Sequence, residues 1–129
     1  MEDKLILVDT SILIDFFRKT DKSNSALISL VRRGYSYCIS AVTEYEIYIG
    51  ATPAQIDFWN GFLDRTTVLP FDKLTANVAV DLTRTLKQNR NLIDIADLFI
   101  AATAIANNLP CATLNRKHFE RITGLRMVN

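Results

Sequence analysis

Leu5-Ile6-Leu7-Val8 is an unbroken apolar run rich in branched side chains, the pattern of a central β-strand covered on both faces. Apolar residues then recur at helical spacing over Ser11–Lys19 and Asn24–Arg33, and Gly34 supplies a stop for the second helix. Tyr35–Ser40 reads as a second strand and Ala41–Ile49 as a helix closed by Gly50. Pro53 opens a helix reaching Asp64, at a position where its missing N–H costs little. Thr66–Leu69 is a third short strand, ended by Pro70. Asp72 or Thr75 caps a long amphipathic helix to Asn89, with Leu74, Val78, Leu82 and Leu86 along one face. Ile93–Asn107 is almost wholly apolar and rich in alanine. Pro110–Leu114 makes a fourth strand, Lys117–Arg121 a helical turn and Arg126–Val128 a short last strand.

Strands alternating with helices predict an α/β fold with a mainly parallel sheet of about four to five strands, helices on both faces and right-handed crossovers. Ligands of such sheets bind outside the carboxyl ends of the strands. Composition narrows the picture. The 129 residues suit one domain, 1–129, and 49% hydrophobic with 22% charged residues excludes disorder and fibrous architectures. Fifteen Lys and Arg against 14 Asp and Glu leave a net charge of +1, which argues against holding nucleic acid by bulk charge but not against a local basic patch. Apolar stretches such as Leu98–Ala102 fall far short of the ~18–20 residues of a membrane span. Met1 to Leu5 lacks a basic n-region, and Cys38 and Cys111 stand far apart with no CxxC. The expectation is a cytoplasmic protein with reduced core cysteines and no membrane partner.

Three carboxylates stand out. Asp9 follows the first strand directly, where it serves as a helix N-cap or as a ligand; Thr10 and Ser11 could cap equally well. Asp97 sits in Ile95-Ala96-Asp97-Leu98-Phe99-Ile100-Ala101-Ala102, a helix apolar around its circumference. A buried carboxylate costs several kcal/mol unless paired, so a metal or a positive partner is favoured there over a first-turn dipole role. Glu46 either closes a capping box with Thr43 or points inward with Val42, Ile49 and Gly50, while Glu44 faces elsewhere. Acids from three segments converging near strand ends would suit a hard divalent ion, Mg²⁺ or Mn²⁺, and hydrolysis at phosphorus. Zinc lacks Cys and His ligands. His118 is the sole histidine, which excludes a two-histidine ribonuclease mechanism, and no P-loop or G-x-G-x-x-G is present. A second Asp two residues after Asp9, needed by haloacid-dehalogenase-type phosphatases, is replaced by Ser11, and the acidic pair of receiver domains is also missing.

Asp9-Thr10-Ser11-Ile12-Leu13-Ile14-Asp15 resembles the opening block of PIN-domain nucleases, particularly VapC-type toxins of prokaryotic toxin–antitoxin pairs. Thr43-Glu44-Tyr45-Glu46-Ile47-Tyr48-Ile49-Gly50, Asp97-Leu98-Phe99-Ile100-Ala101-Ala102-Thr103-Ala104 and Thr113-Leu114-Asn115-Arg116-Lys117-His118-Phe119 resemble the family's later blocks in order. The tail Gly124-Leu125-Arg126-Met127-Val128 is similar to its final strand. The resemblance implies a three-layer α/β/α sandwich and a metal-dependent endoribonuclease whose acids are Asp9, Glu46 and Asp97, and it selects Glu46 over Glu44. It further implies Mg²⁺ (or Mn²⁺) held mainly by Asp9 and Asp97, with Glu46 orienting or deprotonating the attacking water and a 5′-phosphate product. Thr10 and Thr113 would support the acids, and Asp94 would be an outer ligand or a helix start. Asn115 and His118 stand where many relatives carry a fourth acid, which implies weaker metal binding.

RNA (tRNA, rRNA or mRNA) would be guided by Arg84, Lys87 and Arg90 on one helix and by Arg116, Lys117 and Arg121, unless these are solvated faces. A homodimer and a VapB-type antitoxin are the implied protein partners. The competing expectation is a catalytically weak PIN-like domain that works as a protein-binding or RNA-binding module.

Overall fold

The computed structural model describes residues 4–129. Four parallel strands, β1 (Lys4–Val8), β2 (Tyr35–Ser40), β3 (Val68–Leu69) and β4 (Cys111–Ala112), form one sheet in the order β3-β2-β1-β4. β1 lies inside, with Leu7 opposite both Cys38 and Cys111; Ile6, Leu7 and Val8 are fully buried, whereas Leu5, expected in the same covered run, is 39% exposed. Alternation divides that run: Leu7 enters one core with Cys38, Leu86, Ala101 and Phe119, while Ile6 and Val8 enter a second core with Leu13, Ile39 and Trp59. The first core lies under α5 (Lys73–Gln88), α6 (Ile95–Ala106) and α7 (Arg116–Phe119). The second lies under α1 (Thr10–Arg18), α2 (Ala26–Arg32), α3 (Ala41–Gly50) and α4 (Ile56–Asp64). This is the expected α/β/α arrangement.

Several boundaries differ for local reasons. The helix expected from Asn24 begins at Ala26, because Ser25 Oγ accepts the Ile28 N–H and a 3-10 turn, Lys22–Asn24, precedes it. Pro53 opens a 3-10 turn, Pro53–Gln55, and α4 follows at Ile56. On α5 the buried stripe is Thr75, Ala79, Leu82 and Leu86, whereas Leu74 is 57% exposed. Asp72 caps α5, accepting from the Thr75 N–H at 3.0 Å and the Thr75 hydroxyl at 2.8 Å. That contact satisfies the buried threonine and turns Leu74 outward. The expected last strand is a single parallel bridge, Cys111 to Met127, held by Cys111 N–H to Arg126 O and Val128 N–H to Cys111 O, both 2.9 Å. Gly34 ends α2 at φ +95°, where a side chain would be strained. Cys38 and Cys111 are free and buried, and burial pushes the Cys38 thiol up to about 11. None of the described helices is long and apolar enough to cross a membrane.

Candidate active site

Asp9 is the first residue beyond β1, and its N–H donates to Ala112 O of β4 at 3.0 Å. The side chain does not cap α1; the Ile12 N–H goes to the Asp9 backbone carbonyl at 3.2 Å. The carboxylate, 2% exposed, instead accepts from Ser11 Oγ at 2.5 Å on Oδ1 and from Thr113 Oγ1 at 2.8 Å on Oδ2. Both hydroxyls are themselves acceptors, Ser11 from the Leu114 N–H at 3.0 Å and Thr113 from the Asn115 N–H at 2.9 Å. Each hydroxyl has one proton, and the backbone amides direct that proton onto Asp9. The loop after β4 therefore clamps a carboxylate at the end of β1. Burial raises the Asp9 carboxyl above its ordinary range; the two hydroxyls oppose the rise and the Asp97 charge adds to it.

Ser40, at the end of β2, caps α3 by accepting the Thr43 N–H at 3.0 Å. Thr43 is therefore no cap, and Glu46 is not spent in a capping box. Thr10 Oγ1 donates to Glu46 Oε1 at 2.6 Å and lies 3.1 Å from Thr43 Oγ1, tying α1 to α3 across the sheet ends. Glu44, on another face, lines a separate hollow with Tyr45 and Tyr48.

Asp97 occupies the first turn of α6, and its side chain is 17% exposed. Its Oδ2 lies 3.2 Å from Nδ1 of His118, a positive-capable partner from α7. Burial raises the Asp97 carboxyl; the His118 contact opposes this and the neighbouring Asp94 charge adds to it. Asp94 is exposed at the start of α6 and makes no side-chain cap bond.

A cleft of about 690 Å³ receives Asp9, Glu46 and Asp97 together with Thr10, Ser11 and Asn115. Among the described residues no three acidic, His or Cys groups form a closed metal cage. The donors are oxygens spread around an open cleft, the arrangement suited to a hard divalent cation that keeps several waters. Burial is the main cause of the raised Asp9 and Asp97 carboxyls, and a bound cation would oppose that rise.

Ser11 lies outside the expected site residues, although its place in the Asp9-Thr10-Ser11 block was the available signal. The cleft also brings in Arg18 and Lys19 from the end of α1. The basic residues expected to guide RNA stand elsewhere. Arg84 and Lys87 border an apolar groove with Phe71 and Phe99, and Arg90 lies past the end of α5 at φ 54°. Arg116 Nη1 donates to Val128 O at 2.8 Å, and Arg121 Nη1 donates to Leu92 O at 3.3 Å. Lys117 is exposed on α7 outside the cleft lining.

The family model described as "PIN domain" matches residues 6–125. Ribonuclease VapC1 of Methanocaldococcus jannaschii is 36% identical over 123 residues, covering 94% of this chain and 83% of that protein. Ribonuclease VapC10 of Mycobacterium tuberculosis is 32% identical, covering 95% and 91%. Among solved structures, VapBC2 from Rickettsia felis bound to a promoter DNA fragment superposes with a TM-score of 0.80 at 25% identity, covering 97% of this chain and 98% of that one. VapBC from Salmonella typhimurium bound to DNA gives a TM-score of 0.85 at 24% identity over 98% of both, a likeness of fold.

Proposed function

Because the chain belongs to the PIN-domain family, in its VapC branch, we propose that it is a metal-dependent endoribonuclease and the toxin of a toxin–antitoxin pair. The supporting observation is the buried Asp9, held by two hydroxyls whose protons are committed to it, on one cleft with Glu46 and Asp97. Residues 1–129 act as one nuclease unit in this reading.

The residues fit Mg²⁺ or Mn²⁺. Asp9 and Asp97 offer hard oxygens on one open cleft, and each Asp9 oxygen keeps a lone pair beyond its hydroxyl bond. When bound, such an ion supplies charge against the phosphoryl oxygens and a water of lowered pKa. Asp9 is oriented by Ser11 and Thr113, so its oxygens need little reorganisation when RNA arrives. Glu46 has Oε1 engaged by Thr10, which leaves Oε2 to orient the attacking water and take its proton. Asn115 borders the cleft and offers a neutral amide oxygen where a fourth acid is missing. In-line attack on an RNA phosphodiester then leaves a 5′-phosphate and a 3′-hydroxyl. The likeness to VapBC2 from Rickettsia felis supports a VapB-type antitoxin as partner, and the reading further takes the protein to be a homodimer working in the cytoplasm.

Purified protein incubated with bulk tRNA and rRNA should cleave only when Mg²⁺ or Mn²⁺ is added. Asp9→Asn should be inert, and expression of the parent should arrest growth while Asp97→Asn does not. Metal-independent cleavage, or an Asp9→Asn protein that cuts like the parent, overturns the reading. A parent that binds RNA or protein, cuts nothing and arrests no growth would mark a binding module instead.

A further inference from the structure

Arg18 ends α1 on the wall of the acidic cleft, and it also lines a second, smaller hollow of about 190 Å³ that continues past Glu46 toward Gly50 and Gln55. The two cavities share Ile14, Arg18 and Glu46, so Arg18 stands where one opens into the other. Its side chain is exposed and makes no hydrogen bond or ion pair among the described residues. The carboxylate one turn earlier, Asp15, is already taken: it accepts the Ala26 N–H at 2.8 Å and pairs with Lys19 at 3.7 Å. Arg18 complements the C-terminal end of α1, and its guanidinium, without a carboxylate partner, is left beside a cleft bearing Asp9, Glu46 and Asp97. Its planar fork of donors matches a phosphate bidentately.

We propose that Arg18 is a phosphate-binding residue of the cleft, gripping the RNA backbone beside the scissile phosphodiester where the strand passes from the acidic cleft into the smaller hollow. The inference rests on the ribonuclease reading and adds to it the residue that brings an anionic strand up to an acidic pocket. The interaction is with the backbone, so it is indifferent to base sequence and sensitive to salt.

The test uses Glu46→Gln as a non-cleaving background in Mg²⁺ and a fluorescein-labelled, single-stranded RNA of mixed sequence, with anisotropy read across a KCl series. Adding Arg18→Ala should weaken binding roughly tenfold, the loss of one charge-assisted phosphate contact. It should also make the slope of log affinity against log salt shallower by about 0.7. Arg18→Lys keeps the charge and should preserve the slope while recovering part of the affinity. The melting temperature of all three should agree, since Arg18 is exposed at a helix end. An unchanged affinity and slope in Arg18→Ala, with a parent that cuts RNA, overturns the role of Arg18 alone. A parent that neither binds nor cuts RNA overturns the ribonuclease reading, and this inference with it.

Discussion

Ser11→Ala removes one proton from the pair that holds Asp9 and leaves Thr113 in place. Asp9 is only 2% exposed, and the lost bond to a charged acceptor costs about 1.5–3 kcal/mol. The other bond Ser11 makes, from the Leu114 N–H, lies at an exposed residue and adds less. The cost depends on pH, with a definite sign. The folded-state Asp9 carboxyl already titrates above its ordinary 3.8, so the native chain holds that proton to higher pH than the unfolded chain, and stability falls as pH rises through that interval. Deleting a donor pushes the native carboxyl further up and lengthens the interval. The difference between parent and variant should therefore be smallest near pH 4 and full at neutrality. Urea denaturation in chelator, followed by the fluorescence of the single tryptophan Trp59, which is buried in the second core, measures it directly. At neutral pH a fall of roughly 5–10 °C in melting temperature should accompany it. A difference below about 0.5 kcal/mol at neutrality, or one that grows on acidification, would refute the claim that Ser11 holds a charged Asp9.

Thr10→Val keeps the shape of α1 and removes the 2.6 Å bond to Glu46; kcat should drop about tenfold with RNA affinity unchanged, as single-turnover and binding measurements would show. Asn115→Asp adds a fourth carboxylate to the cleft, so the Mg²⁺ concentration giving half-maximal cleavage should fall, while the chelated protein melts slightly lower from added repulsion. Adding Mn²⁺ to chelated parent should raise its melting temperature in step with metal concentration, and Asp9→Asn should lose most of that rise; calorimetry reads both.

The parts of the fold legible in the sequence are those set by local pattern. The β1 run, the glycine after α2 and the apolar α6 each carry their signal within a dozen residues. Asp9, Glu46 and Asp97 were legible as acids in unusual company, and the cleft does gather them. What remained hidden depends on contacts between distant segments. The choice between Leu74 and Thr75 on α5 turns on an Asp72 cap bond that outweighs hydrophobicity. The last strand shrinks to one bridge because only Cys111 and Ala112 of the fourth segment pair with β1, and Cys111 alone meets Met127. Arg84, Lys87 and Arg90 attract notice by their helical spacing, and Arg84 and Lys87 border a different hollow from the cleft that Arg18 lines. His118 shows the same limit, since its contact with Asp97 joins α7 to α6 and no spacing announces it.

The clamp on Asp9 also sets an order of assembly. Asp9 and Thr113 are 104 positions apart, and the amides that fix both hydroxyls, Leu114 and Asn115, come at the same late point. On a ribosome adding about 5–20 residues per second, Asp9 waits roughly 5–20 s before those partners exist. During that interval the first strand and the helices after it can form, but the carboxylate at their end has neither its orientation nor its donors. A nascent chain therefore carries an unfinished pocket until β4 is made, and any break in synthesis before that strand yields a fragment without the geometry described above. For a protein read as a toxin, strand order thus makes the orientation of Asp9 one of the last features of the pocket to be completed.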